Sequence, residues 1–334
     1  MLRIGIPRGF YYYRFFNIWP KFFFHAGAEA VISPPTNKTT VSNGVKLAVD
    51  ETCLPFKVYM GHVESLQKAC DYIFVPRIVS VEKKAYSCPK IIGLPDVCRL
   101  IFPDANLFSP AINQYGGGEP RELIEQTAQL LRQSTRRTGK AWEKAVKESH
   151  KYKFSVARLP ADFLGHTKVS PNGYSKGRLA LLGHCYNIYD NYITMDLIDK
   201  LRNLGYDVLT LDVIPKEELD KESQSLPKKM FWTIGSEILS AGRYFLKRKD
   251  IDGVIYLACF GCGADALIGE LVMRFKAKEG DKPLLMLNID EHTGEAGFIT
   301  RIEAFTDMLA RRKKQSENYI SSHGESEYHS QSII

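Results

Sequence analysis

The stretch GVIYLACFGCGADALIGELVMRF, residues 253–275, starts as an unbroken apolar run, turns through Phe260-Gly261-Cys262-Gly263, and continues as a helix-compatible segment from Ala264 to Phe275. A short apolar strand closed by glycines and followed at once by a helix is the repeating unit of a parallel α/β sheet. Such a strand is buried on both faces and needs a crossover helix to reach its neighbour. The same alternation recurs on both sides. Towards the C-terminus, Leu284–Ile289 reads as a strand and Ala296–Arg311 as a helix with Phe298, Ile302, Phe305 and Leu309 on one face. Upstream, Leu179–Leu182 and Asp207–Leu211 read as strands, with helices over Thr194–Leu204 and near Ile234–Phe245. In the first third, strands are expected at Ile4–Pro7, Ala30–Ser33, Tyr72–Pro76 and Leu107–Ala111, with helices over Tyr11–Ala26 and Val58–Ala69.

This pattern predicts an α/β protein of two parallel-sheet domains. One covers 1–115 and contains Cys53 and Cys88; the other covers 178–314 and contains Cys262. Between them, 116–177 reads as a charged helical segment, breaking at Gly139, followed by a Gly- and Pro-containing linker over 159–177. From Gln315 to Ile334 the periodicity stops and a disordered tail is expected. A chain of 334 residues has room for roughly two domains of about 150 residues each.

Charge and composition narrow the function classes. Lys and Arg number 45 against 38 Asp and Glu, a net charge of +7. Between Arg121 and Lys153 nine basic residues face four acidic ones, and Arg311–Lys314 adds four more. Both runs read as solvated helix faces, with docking of an acidic partner or a phosphorylated ligand as the alternative. No zinc-finger spacing or RNP-type motif supports nucleic-acid binding. No stretch approaches the ~20 apolar residues of a membrane span, and Phe10–Phe24, interrupted by Arg14, Pro20 and Lys21, lacks a signal-peptide cleavage site. A cytoplasmic protein is expected. There is no Walker A motif, no strand-linked G-x-G-x-x-G and no G-x-S-x-G elbow.

The unusual residues follow the expected strands: Pro7-Arg8-Gly9, Pro34–Asn37, Gly183–Asn187, Phe260–Gly263 and Asp290–Glu295. Ligands of parallel α/β sheets bind beyond the strands' carboxyl ends. Of seven cysteines, three sit where helices are expected to begin: Cys53 before Leu54-Pro55, Cys88 before Pro89, and Cys262 before the helix at Ala264. A helix N-terminus favours a thiolate, and it favours an anionic cluster bound by thiolates. The three residues therefore suggest iron–sulfur ligation. Three unrelated buried thiols, a Cys259-Phe260-Gly261-Cys262 dithiol and a zinc site remain open alternatives. Cys70, Cys98 and Cys185 read as structural. His292 and Glu295 are the candidates for proton transfer, or else loop-ordering and capping groups of the last helix.

Several blocks, taken in order, carry a resemblance. They are Ile4-Gly5-Ile6-Pro7-Arg8, Ser33–Lys38, Lys46–Pro55, the run Asp71–Gly93 with Cys88-Pro89-Lys90, Phe260–Gly263 and His292–Gly297. Across about residues 1 to 312 the chain resembles the acyl-CoA dehydratase activase-related family, within the 2-hydroxyacyl-CoA dehydratase subunit superfamily. The resemblance implies two flavodoxin-like domains with a cubane, 4Fe–4S-type cluster between them, its ligands carried over to Cys53, Cys88 and Cys262. It implies a one-electron reductase or dehydratase-like component fed by an ATP-dependent activase that has its own cluster, and an acyl-CoA or other small-molecule substrate. The alternative is a non-catalytic electron-transfer or assembly subunit completed by a larger paralogous subunit. Cys185 and Ala264 stand where the family pattern has proline, and nothing identifies a coenzyme A pocket. Lys57, Lys90, Arg8 and Arg77, near the ligand loops, are candidates to offset cluster charge.

Overall fold

The computed structural model of the chain describes residues 1–150, 175–228 and 230–324. Its first part runs β1 (Arg3–Ile6), α1 (Tyr12–Phe15), α2 (Trp19–Ala26), β2 (Glu29–Ile32), α3 (Lys38–Leu47), α4 (Leu54–Leu66), β3 (Tyr72–Phe74), β4 (Arg77–Ser80), α5 (Pro89–Ile92), α6 (Leu94–Ile101), β5 (Leu107–Phe108), β6 (Ala111–Asn113), α7 (Arg121–Leu130) and α8 (Thr135–His150). The second runs β7 (Gly177–Gly183), α9 (Cys185–Ile188), α10 (Asn191–Thr194), α11 (Leu197–Asn203), β8 (Tyr206–Thr210), α12 (Lys216–Gln224), α13 (Thr233–Lys247), β9 (Gly253–Cys259), α14 (Gly263–Glu279), β10 (Leu284–Ile289) and α15 (Glu295–Gly324).

The α/β reading holds. One sheet has the order β2-β1-β3-β5, the other β10-β9-β7-β8, and every pairing is parallel. β9 is buried at all seven positions, as its apolar run requires in the middle of a covered sheet. β10, at the sheet's edge, is only partly buried.

Prolines shape the first half. The strands expected over Tyr72–Pro76 and Leu107–Ala111 each divide, at Val75-Pro76 and Ser109-Pro110, because proline has no N–H to continue a ladder. Past these breaks the two chains leave the main sheet together and pair again as the two-stranded β4-β6 sheet. The helix expected over Tyr11–Ala26 breaks likewise, with Pro20 in the first turn of α2. α3 and α4 cross backbone to backbone. A Cβ on Gly44 would fall 1.8 Å from the Lys57 carbonyl oxygen, and one on Gly61 would fall 2.0 Å from that of Thr40. Only glycine fits either position.

The charged helical segment does not break at Gly139, which lies inside α8. It breaks after α7, where Arg132 takes φ 51. There the Arg132 N–H donates to the Gln129 carbonyl and that of Gln133 to Ala128, a Schellman closure. α7 and α8 fold back on the first half: Trp142 meets Phe22 edge-on at 5.4 Å, and the Gln133 amide donates to the Ala26 carbonyl. The helix expected over Thr194–Leu204 splits into α10 and α11 at Met195 and Asp196, both at positive φ. α15 runs to Gly324, so residues 315–324 are helical rather than structureless, continuing a run of good helix formers. Residues 325–334 of the expected tail and 159–174 of the expected linker lie outside the described residues. No helix among the described residues is long and apolar enough to cross a membrane.

Buried polar groups tie the halves together. Asp190 caps α10 and accepts hydrogen bonds from Tyr13 and Thr36 of the first half. Arg14 pairs with Glu237 at 2.8 Å, Lys57 pairs with Glu291, and Tyr86 bridges to Trp232.

Candidate functional site

Cys53, Cys88 and Cys262 are the N-caps of α4, α5 and α14, and none uses its side chain to cap. Their carbonyls accept from Phe56, Ile91 and Ala266 respectively. Pro55 and Pro89 occupy the first turns of α4 and α5, where a missing N–H costs nothing. Gly261 lets the β9–α14 loop turn at φ +73 beside the Cys53 backbone.

The fold brings the three together although they come from both halves of the chain. Cys53 lies within electrostatic reach of Cys88, and Cys262 of both. The Tyr186 hydroxyl, fully buried, faces the charges of all three as well as Asp265. The Tyr186 ring meets Phe10 at 5.2 Å, and Phe10 packs on Tyr59 at 5.5 Å. Among the described residues the three sulfurs do not gather within the 4.8 Å span that encloses His184, Cys262 and Asp265. Thiolates around one zinc-like ion would stand roughly 3.8 Å apart. The trio is spaced more widely than a single ion requires.

At Cys53 and Cys262 burial works against the thiolate that a helix start alone would favour. Burial pushes Cys53 up, against the pull of Lys90, and pushes Cys262 up to about 12 with Asp265 adding to the effect. Desolvation outweighs the dipole here; a bound cation reverses that balance.

Asp265, in the first turn of α14, anchors the loop. Its carboxylate accepts from the Cys259 N–H at 2.9 Å and the Tyr256 hydroxyl at 2.8 Å. Nδ1 of His184 lies 3.0 Å from it but off the line of a hydrogen bond. Burial opposes ionisation, yet His184 and the two donors hold the carboxyl below its usual range. The Cys259 thiol sits over the Phe260 carbonyl at 3.4 Å, pushed upward by burial, and all seven cysteines are free. Cys70 donates to the Leu66 carbonyl, Cys98 packs on Met60, and burial pushes Cys185 up to about 12.

His292 and Glu295 lie on the surface. The His292 side chain is 85 % exposed, and Glu295 pairs with Lys200 at 2.8 Å. Their loop is ordered by Asp290, which accepts from the His292 N–H and from Thr293. Of the four cations, Lys90 acts on the Cys53 thiol. Lys57 serves Glu291 and the Asp50 carbonyl, Arg77 serves Asp96, and Arg8 donates to the Ser33 carbonyl. Asp265 and Tyr256 were not singled out by the sequence. A carboxylate three residues after a capping cysteine was the available signal for Asp265. Tyr186 lay in the flagged Gly183–Asn187 loop, and Tyr256 inside the apolar run of β9, where nothing marked its bond to Asp265.

Compared with known proteins, residues 3–214 match the family model described as the CoA enzyme activase uncharacterised domain. The matched span includes Cys53, Cys88, His184 and Tyr186; Cys262 and Asp265 lie beyond it. None of the curated proteins matches the chain.

Proposed function

Since the chain belongs to the CoA enzyme activase domain family, we propose that it serves as an activating component for an enzyme that handles coenzyme A thioesters, with an iron–sulfur cluster of the 4Fe–4S type held by Cys53, Cys88 and Cys262. The family is one of activases. That overturns the expected role as a one-electron reductase or dehydratase-like component, and with it the passive electron-transfer or assembly alternative.

The observation that carries the cluster is the convergence of three cysteines, each the unused cap of a different helix, around the buried Tyr186 hydroxyl. Their sulfurs are not gathered as tightly as the ligands of a lone ion would be. When bound, such a cluster supplies one-electron redox chemistry. The chain's own residues provide its surroundings. Helix-start N–H groups and Lys90 favour anionic ligands, the buried Tyr186 packs on Phe10, and Asp265 fixes the Cys262 loop. Phe260, 71 % exposed beside Cys262, offers an apolar contact to the enzyme being activated.

Anaerobic reconstitution with iron and sulfide tests the reading. About four irons per chain are expected, falling in Cys53→Ser, Cys88→Ser and Cys262→Ser but not in Cys70→Ser or Cys98→Ser. Less than one iron per chain would count decisively against it.

A further inference from the structure

We propose that His184, Cys262 and Asp265 form a separate binding site for a single divalent transition-metal ion of the zinc or ferrous type. The imidazole nitrogen, the thiolate sulfur and a carboxylate oxygen lie within 4.8 Å of one another. Donors around an ion with bonds of about 2.0–2.3 Å stand roughly 3.3–3.8 Å apart, so small side-chain adjustments suffice.

The local structure is built for coordination. β7 and β9 are hydrogen-bonded neighbours, and the three ligands follow their carboxyl ends. Cys262 caps α14 with its side chain unused, and Asp265 lies one turn on. The Cys259 N–H and the Tyr256 hydroxyl fix the carboxylate, as outer-shell partners of metal ligands do.

An independent observation points to a missing ligand. His184 is 4 % exposed, and its Nδ1 has no hydrogen-bond partner although Asp265 is 3.0 Å away. A buried ring nitrogen without a hydrogen bond is costly, and a metal bond satisfies it. Charge balance agrees. One thiolate, one carboxylate and a neutral imidazole cancel a dipositive ion, which lowers the cost of burying all four. Three protein ligands leave one coordination position open.

Cys262 also belongs to the proposed cluster set, so the ion and the cluster are competing occupants. The inference stands on the His184–Asp265 geometry and does not need the cluster reading to be right. The test uses the full chain, purified anaerobically and stripped with a chelator. Co2+ is titrated in, followed by thiolate-to-cobalt absorption, and then displaced with Zn2+. One ion per chain is expected. Affinity should fall at least about tenfold in His184→Gln and stay within about threefold of the parent in Cys53→Ser and Cys88→Ser. Unchanged affinity in His184→Gln, a loss confined to Cys53→Ser and Cys88→Ser, or no binding at all would overturn the assignment. X-ray absorption at the zinc edge of the unsubstituted protein needs no variant: one sulfur among nitrogen and oxygen neighbours supports the site, and two or more sulfurs refute it. The cluster reading fails separately, through the iron and sulfide content of reconstituted His184→Gln, which the cluster proposal expects to be retained.

Discussion

The loops after β9 and β10 are neighbours in one parallel sheet, and in the sequence they look alike: each is a short polar, glycine-bearing turn leading into a helix. In the fold they differ. The β9 loop is drawn inward, with Asp265 2 % exposed and bound by Tyr256, Cys259 and His184. The β10 loop lies outside, with His292 85 % exposed and Glu295 in a surface pair with Lys200. β9 is a central strand and β10 an edge strand. The central loop meets β7's loop on one side and the start of α4 on the other, so its polar groups find buried partners. The edge loop meets mostly water. Position in the sheet, rather than local composition, separates a candidate centre from an ordinary helix start.

The sharpest way to break this comparison is Asp265→Ala. It strips a buried acceptor from the Tyr256 hydroxyl and the Cys259 N–H and should cost about 3–5 kcal/mol in urea unfolding. A loss under about 1 kcal/mol would mean the inner loop is no better anchored than the outer one. In the β10 loop, Glu291 reaches inward to Lys57, which is 1 % exposed. Glu291→Gln should therefore cost about 2 kcal/mol, midway between the two loops.

Acid sensitivity gives a third contrast. His62 is buried between Ser33 and Thr36, and burial, helped by Arg8, lowers its pKa to about 3. The unfolded chain takes up that proton near 6.5 and the folded one does not. The contribution of His62 is therefore complete above about pH 6.5 and drains away as the pH falls towards 3, at about 1.4 kcal/mol per pH unit. Stability curves of His62→Gln should be flatter than the parent's over that window. Smallest of all, His292→Ala and Glu295→Ala should each shift stability by no more than about 0.5 kcal/mol.

Local features were readable in the chain and their meeting points were not. β9 announced itself as an apolar run, and Cys53 and Cys88 as caps through the prolines that follow them. α3 escaped notice. Its sequence KTTVSNGVKL is rich in β-branched residues and has little helix propensity. What holds it is the Asn37 cap and the glycine-on-glycine crossing with α4. The break between α7 and α8 was misassigned to Gly139 because a glycine is an obvious stopping point, whereas the actual closure uses Arg132 in a left-handed turn.

By itself the sequence determined the alternation of strands and helices, the parallel class of both sheets, and the seating of three cysteines at helix starts. These follow from burial periodicity and from proline and glycine stereochemistry, which act within a few residues. Only the tertiary structure decided that residues 53, 88 and 262 come within electrostatic reach of Tyr186, and that Asp265 rather than His292 or Glu295 is buried beside Cys262. Burial and charge act through space, and no local pattern records which distant groups will exclude water together.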